Sequence, residues 1–170
     1  MSMIGHAAPD FSTEGVVKGG DFKNISLKDY KGKWVVLFFY PLDFTFICPT
    51  EILEFSRRHN EFEAVNAQVL GVSIDSKFSH KAWLKELGDL NYPLLSDITK
   101  TMSRNYDVLL EDDGIALRGT FIIDPDGKVQ YELRHGLSVG RSISETLRVL
   151  DAIQSGGLCP VDWKKGEKTL

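Results

Sequence analysis

Apolar and polar positions follow two different rhythms along this chain, and the switches between them mark its elements. The longest apolar run is Trp34 to Tyr40 (WVVLFFY), β-branched and aromatic residues between Gly32 and Pro41. A run with no polar position predicts a strand buried on both faces. Immediately afterwards Ile52, Phe55, His59 and Phe62 recur at spacings of three and four, which predicts a single helix over 49–64. Val69 to Ile74 reads as the next buried strand, so the three elements make a parallel, right-handed βαβ unit. Ser76 to Leu87 reads as a second helix, with Phe78, Ala82, Trp83 and Leu87 turned inward and Gly88 closing it. Leu94-Leu95 fits a short strand ending at Asp97, and Thr99 to Tyr106 a short helix.

The flanking segments are punctuated by turn residues. Gly15, Gly19 and Gly20 set off an N-terminal hairpin around Val16-Val17 and Phe22 to Ile25, and Ser26 with Asp29 is spaced as a capping pair. Asp124-Pro125-Asp126-Gly127 separates Leu117–Ile123 from Lys128–Arg134, a second hairpin. Ser142 and Glu145 form a capping box for a last helix, whose Ile143, Leu147, Leu150 and Ile153 face the core and which stops before Gly156-Gly157. The expectation is an α/β domain over 1–157 with a mixed central sheet and helices on both faces. A polar tail, 158–170, carries the second cysteine.

Composition narrows the chemistry. With 42% hydrophobic and 26% charged residues, the 170-residue chain suits one globular domain with a substantial core. A net charge of −4 without a Lys/Arg cluster speaks against nucleic-acid binding. No apolar run approaches the ~18 residues of a membrane span, and MSMIGHAAPDF shows neither the basic nor the apolar region of a secretory signal. The expected location is the cytoplasm, where two cysteines read as catalytic rather than structural. His6, His59, His80 and His135 have no ligand spacing among themselves or with the cysteines, so no metal is expected. No phosphate loop is present and Gly136-x-x-x-Gly140 is too loose for a dinucleotide site, so no cofactor is expected either.

Cys48 holds the most informative position. It lies where the core strand hands over to the first helix, in or just before its first turn, and Pro49 suits the first helical position because its missing N–H would have no partner there. The positive end of the helix favours an anion, so a cysteine at that point tends toward thiolate. An ordinary thiol is only roughly 3% ionised at neutral pH, and a helix end contributes only about 0.3–1 kcal/mol. A cationic partner is therefore needed as well. A lone cysteine without such a setting would be a buried structural residue.

The residues around it resemble a known family. Pro41-x-x-x-Thr45-x-x-Cys48, within FFYPLDFTFICPTE (38–51), is similar to the active-site pattern of the peroxiredoxins, in particular the typical two-cysteine group that includes the alkyl hydroperoxide reductase peroxidase subunit. The resemblance continues through DSKFSHKAW (75–83), ALRGTFIIDPDGKV (116–129), VGRSISE (139–145) and CPVDWKKGE (159–167). It implies a thioredoxin-like fold and a peroxidase that needs no cofactor. True thioredoxins carry CxxC where this chain has Thr45-Phe46-Ile47-Cys48, which disfavours a dithiol reductase; a non-enzymatic holdase is the other alternative.

The resemblance also implies roles. Cys48 attacks the peroxide, Arg118 bonds thiolate and peroxide together, Thr45 holds the peroxide by its hydroxyl, and Pro41 screens the sulfur from water. Glu51 and Arg141 are an ionic pair that orients Arg118. By position alone, Arg118 would read as a surface strand residue and Thr45 as a turn residue bonded to its own backbone. Cys159 in Leu158-Cys159-Pro160 corresponds to the resolving thiol, supplied by the partner subunit of a homodimer. The chain itself does not forbid a same-chain bridge. A thioredoxin-like or flavin-dependent dithiol protein would reduce the disulfide, and five dimers could assemble into a ring.

Overall fold

The computed structural model describes residues 2–170. Nine strands follow in chain order: β1 Ser12–Val16, β2 Phe22–Ser26, β3 Trp34–Phe39, β4 Ala67–Ser73, β5 Leu94–Ser96, β6 Leu109–Leu110, β7 Ile115–Ala116, β8 Arg118–Ile123 and β9 Val129–His135. The helices are α1 Cys48–Arg57, α2 His59–Glu63, α3 Lys77–Leu87, α4 Thr101–Asn105 and α5 Ile143–Ser155. Seven strands form one sheet in the order β2-β1-β5-β4-β3-β8-β9. β3, β4 and β5 run parallel, and β8 joins antiparallel on the other side of β3. β6 and β7 form a separate small hairpin that the hydrophobic pattern does not announce.

The apolar run in β3 is buried on both faces, as its lack of polar positions demands. Val36, Phe38 and Tyr40 face one core layer with Ile52, Phe55, Phe62, Trp83, Leu147 and Leu150. Val35, Leu37 and Phe39, one residue out of phase, face the other with Phe11, Ile25, Met102, Tyr106 and Phe121. The layers are unequal. α1, α2, α3 and α5 cover the first face, whereas the second is covered by the five-residue α4 together with the N-terminal segment. Burying a large apolar side chain completely contributes roughly 1.5–3 kcal/mol, so the stacked pair Phe38–Phe55, with ring centroids 4.4 Å apart, is a principal tie between β3 and α1.

Two local expectations are corrected, and one segment gains a detail. The helix over 49–64 is two helices, broken at Arg58, whose φ of −100° and ψ of 13° leave the helical region. No Pro or Gly marks the break; Arg58 instead reaches Ser144 and Glu61 with its guanidinium, and the turn still delivers both His59 and Phe62 to the core. In α3 the inward residues are His80 and Trp83, with Leu84 and Leu87 half-buried. Phe78 is 66% exposed and Ala82 is exposed, because His80 has a buried polar partner and takes the place given to its neighbours. Finally, Trp163 anchors the 158–170 tail by a buried indole.

Candidate active site

β3 ends at Phe39, and the chain then runs through Tyr40 and Pro41 into the loop that delivers Cys48 as the first residue of α1, with Pro49 second. The sulfur is buried, in the core layer beside Ile52 and Phe55. β8 brings Arg118 across the sheet, and the loop between β9 and α5 brings Arg141. Glu51, one turn into α1, faces both.

The geometry is closely knit. Arg118 Nη1 lies 3.5 Å from Cys48 Sγ and donates to Glu51 Oε2 at 2.8 Å, while its Nε donates to the Leu137 carbonyl at 2.9 Å. Arg141 Nη2 donates to the same Glu51 Oε2 at 2.9 Å and to the Phe39 carbonyl at 2.7 Å; its backbone N–H takes Glu51 Oε1 at 2.8 Å. Its Nη1 reaches the Gly119 carbonyl at 2.8 Å. The ionic side chains are almost wholly removed from water, Glu51 being 2% and Arg141 1% exposed. Desolvation pulls the Arg141 guanidinium below its usual range against the opposing pull of Glu51. Two guanidiniums against one carboxylate leave one buried positive charge in contact with the sulfur. A thiolate balances that charge, and the N-terminus of α1 adds to the attraction.

The loop from Pro41 to Ile47 is pinned at one residue and strained at the next. Asp43 accepts from the Tyr40 hydroxyl at 2.8 Å and from Ser79 Oγ at 2.8 Å, and faces His80 Nδ1 at 2.8 Å. The Asp43 N–H donates to Asp75 Oδ2 at 2.9 Å, and His80 Nε2 donates to the Leu95 carbonyl at 3.0 Å. Tyr40 is desolvated and beside Asp43, which together push its phenol well above the ordinary value. Phe44 follows at φ 55°, a left-handed conformation costly for a side chain with a Cβ, and its ring lies 5.6 Å from that of Trp83. Phe46 is 94% exposed. Pro41 is buried, and Thr45, half-buried, donates its hydroxyl to the Leu42 carbonyl at 2.9 Å. With its proton committed, that hydroxyl is left as an acceptor.

The structure thus brings Cys48, Arg118, Glu51 and Arg141 together, sets Pro41 and Thr45 on the loop before them, and leaves Cys159 elsewhere. Cys159 follows the C-terminal end of α5, with Sγ 3.3 Å from Ser155 Oγ, 3.6 Å from the Ala152 carbonyl and 3.8 Å from that of Gly157. The Ser155 hydroxyl already donates to Ala152 at 2.7 Å. Carbonyls only accept, so in those two contacts the Cys159 S–H is the donor. Both cysteines are free. Asp43, His80 and Asp75 form a buried polar network that sequence reasoning missed; the one available signal was His80 at helical spacing before Trp83. Among the described residues no cluster of side chains could hold a metal ion, and no helix is long and apolar enough to cross a membrane.

Comparison with known proteins points one way. The family model described as "AhpC/TSA family" matches residues 4–132. The chain is 52% identical over 181 residues to the chloroplastic 2-Cys peroxiredoxin BAS1 of Spinacia oleracea, covering 100% of this chain and 68% of that one. It is 50% identical over 175 residues to the putative peroxiredoxin in the rubredoxin operon of Clostridium pasteurianum, covering 99% and 98%. Among solved structures, the reduced 2-Cys peroxiredoxin of Plasmodium vivax superposes with a TM-score of 0.96 at 41% identity, over 99% of this chain and 93% of that one. AhpC of Mycobacterium bovis superposes with a TM-score of 0.87 at 42% identity, over 96% and 99%.

Proposed function

The chain belongs to the AhpC/TSA family and is a peroxiredoxin of thioredoxin-like fold, a thiol-dependent peroxidase; from that premise we propose that Cys48 takes the peroxide and Cys159 resolves it. The observation that carries this reading is the surplus buried cation against Cys48 Sγ, supplied by Arg118 at 3.5 Å. A thiolate there attacks the nearer oxygen of hydrogen peroxide or a small organic hydroperoxide. The S–O bond forms as the O–O bond breaks, and the departing oxygen takes a proton to leave as water or alcohol. Sulfur is oxidised by two electrons and the peroxide reduced by two. Arg118 donates to the oxygen on which charge develops, Thr45 accepts from the peroxide hydroxyl, and Pro41 keeps water from the thiolate.

The sulfenic acid of Cys48 then condenses with Cys159 to a disulfide and water. We assign the bridge to two chains, so that a two-fold dimer carries two identical Cys48–Cys159 links. Two features support a homodimer: Cys159 is tied to its own α5, and β9 is an edge strand of the seven-stranded sheet whose start at Val129 is bonded by Gly5 and His6 while its remainder is open. Exposed Phe44, Phe78 and Ile98 offer apolar surface on which dimers could meet in a ring of five. A thioredoxin-like or flavin-dependent dithiol protein completes the cycle by thiol exchange. Two free cysteines suit a reducing compartment, in our reading the cytoplasm.

Peroxide consumption by wild type, Cys48→Ser and Cys159→Ser, followed on a non-reducing denaturing gel, tests the assignment. Cys48→Ser is expected to consume no peroxide, and oxidised wild type to run as a covalent dimer. Mixed Cys48→Ser and Cys159→Ser chains are expected to form one bridge per heterodimer. Oxidised wild type running as a monomer with no free thiols would make the bridge intramolecular. Full activity in Cys48→Ser would remove the assignment altogether.

A further inference from the structure

The tail that bears Cys159 is closed and tied down. The Leu170 N–H donates to the Leu158 carbonyl at 2.9 Å, joining its two ends, and Trp163 is its one buried residue. Two side chains of α5 hold this loop. Lys165 pairs with Asp151 at 3.0 Å, but Lys165 is 66% exposed, and so exposed a pair holds little. The other tie is of a different kind. Arg148 Nη1 donates to the Trp163 carbonyl at 3.2 Å, while its Nε and Nη2 grip the two oxygens of Glu145 at 2.6 and 2.7 Å. Glu145 is itself 47% exposed, so what sets this tie apart is the two-pronged geometry that orients the guanidinium fork toward the tail. The Trp163 N–H bonds the Pro160 carbonyl at 3.2 Å, which carries the tie to the residue next to Cys159. Arg148 also lines, with Val149 and Ala152, the groove that Cys159 and Pro160 border.

We propose that Arg148 is a latch on the resolving cysteine, a positioning residue that sets how fast Cys159 leaves the end of α5. The inference rests on the reading that Cys159 resolves Cys48. While the tail is latched, the Cys159 S–H faces the Ala152 carbonyl in the last turn of α5 and the Gly157 carbonyl just beyond it. To condense, its sulfur gives up that proton and forms the S–S bond as the S–O bond of the sulfenic acid breaks, the oxygen departing as water. Until then a second peroxide molecule can oxidise the sulfenic acid to sulfinic acid, itself leaving as water or alcohol. Latch strength thus fixes the division of Cys48 between disulfide and sulfinic acid at a given peroxide concentration, without touching the first oxidation.

Full-length Arg148→Ala and Glu145→Gln test this by two readouts. In the reduced protein, labelling of each cysteine by an aromatic disulfide reagent is resolved by mass spectrometry. Separately, reduced protein is oxidised once with excess hydrogen peroxide and the disulfide-to-sulfinic ratio at Cys48 is measured. Arg148→Ala is expected to label Cys159 roughly three- to tenfold faster, as fits the loss of one charge-assisted hydrogen bond, with Cys48 labelling and the first oxidation rate unchanged. The disulfide-to-sulfinic ratio rises by a similar factor. Glu145→Gln, which loosens the fork but keeps the arginine, shifts both readouts the same way by less, and carries the test alone if Arg148→Ala does not fold. Unchanged Cys159 labelling, or faster labelling with an unchanged ratio, overturns the latch. A Cys159→Ser control separates the two levels: if it still yields the wild-type amount of disulfide, the resolving assignment itself fails. If it yields none while both latch variants behave as wild type, only the latch fails.

Discussion

The two cysteines lie at opposite ends of helices, and everything around them follows that polarity. Cys48 opens α1, buried, with a guanidinium 3.5 Å from its sulfur and a surplus positive charge behind it. Cys159 follows the close of α5, half-buried, with its sulfur directed at the carbonyls of Ala152 and Gly157. One end of a helix favours an anion and the other a proton donor. The supports differ as much as the sulfurs. Around Cys48, charged groups are desolvated and joined by several short hydrogen bonds each; around Cys159, the ties are a few contacts on a surface loop. The first arrangement suits a site that aligns a small substrate, and the second suits the travelling thiol proposed for Cys159.

The largest effect expected from breaking this contrast comes at Glu51. Glu51→Gln leaves Arg118 and Arg141 as two buried cations without their carboxylate, and is expected to cost about 3–5 kcal/mol, read as a lowered midpoint in urea denaturation. Arg118→Ala is next. It is expected to slow peroxide reduction by at least an order of magnitude, on the order of 1.4 kcal/mol or more of transition-state stabilisation, in a stopped-flow assay. Alkylation of Cys159 in the same variant is expected to stay at the wild-type rate. Loss of reactivity at both cysteines would mean that Arg118 supports the whole fold rather than one sulfur.

A smaller effect is expected from pH. Folding raises the Tyr40 phenol well above its ordinary value, chiefly by desolvation and then by Asp43. The folded state thus keeps a proton that the unfolded chain loses near pH 10. The stabilisation is fully present below that pH and declines as pH rises past it. Tyr40→Phe is expected to flatten that alkaline decline relative to wild type in urea titrations at pH 9 and 11. The smallest effect belongs to the tail: Cys159→Ser is expected to change stability by no more than ~0.5 kcal/mol, although it takes away the proposed resolving thiol. A cost of several kcal/mol there would show that Cys159 belongs to the core after all.

What could be read in advance divides along the same line. The buried strand β3, the helix start at Cys48, both hairpins and the Ser142 cap of α5 are local patterns, so apolar periodicity and turn residues revealed them; the reciprocal half of the expected capping box is missing, because the Glu145 carboxylate turns to Arg148 instead. Cys48 itself was visible because strand, turn and helix start are contiguous. The assembly of Glu51, Arg118 and Arg141 joins residues far apart in the chain, and it was foreseen only through the resemblance. The Asp43–His80 pair, 37 residues apart, lies in the resembling stretches 38–51 and 75–83, but the resemblance gave neither residue a role. Its absence from the reading is also why Phe78 and Ala82 were turned inward in place of His80. The break at Arg58 escaped notice because no Pro or Gly marks it; Arg58 is bonded to Ser144 on another helix. Trp163 looked like one apolar residue in a polar tail, and only the fold shows its indole buried.

The central claim is that the fold prepares Cys48 as the reactive sulfur and leaves Cys159 the less reactive of the two. Competitive alkylation of the reduced protein with iodoacetamide at pH 6, resolved by mass spectrometry, tests it most directly. Cys48 is expected to be alkylated at least about tenfold faster than Cys159, and Arg118→Ala to erase most of that difference. Equal rates at the two cysteines in the wild-type protein would contradict the account.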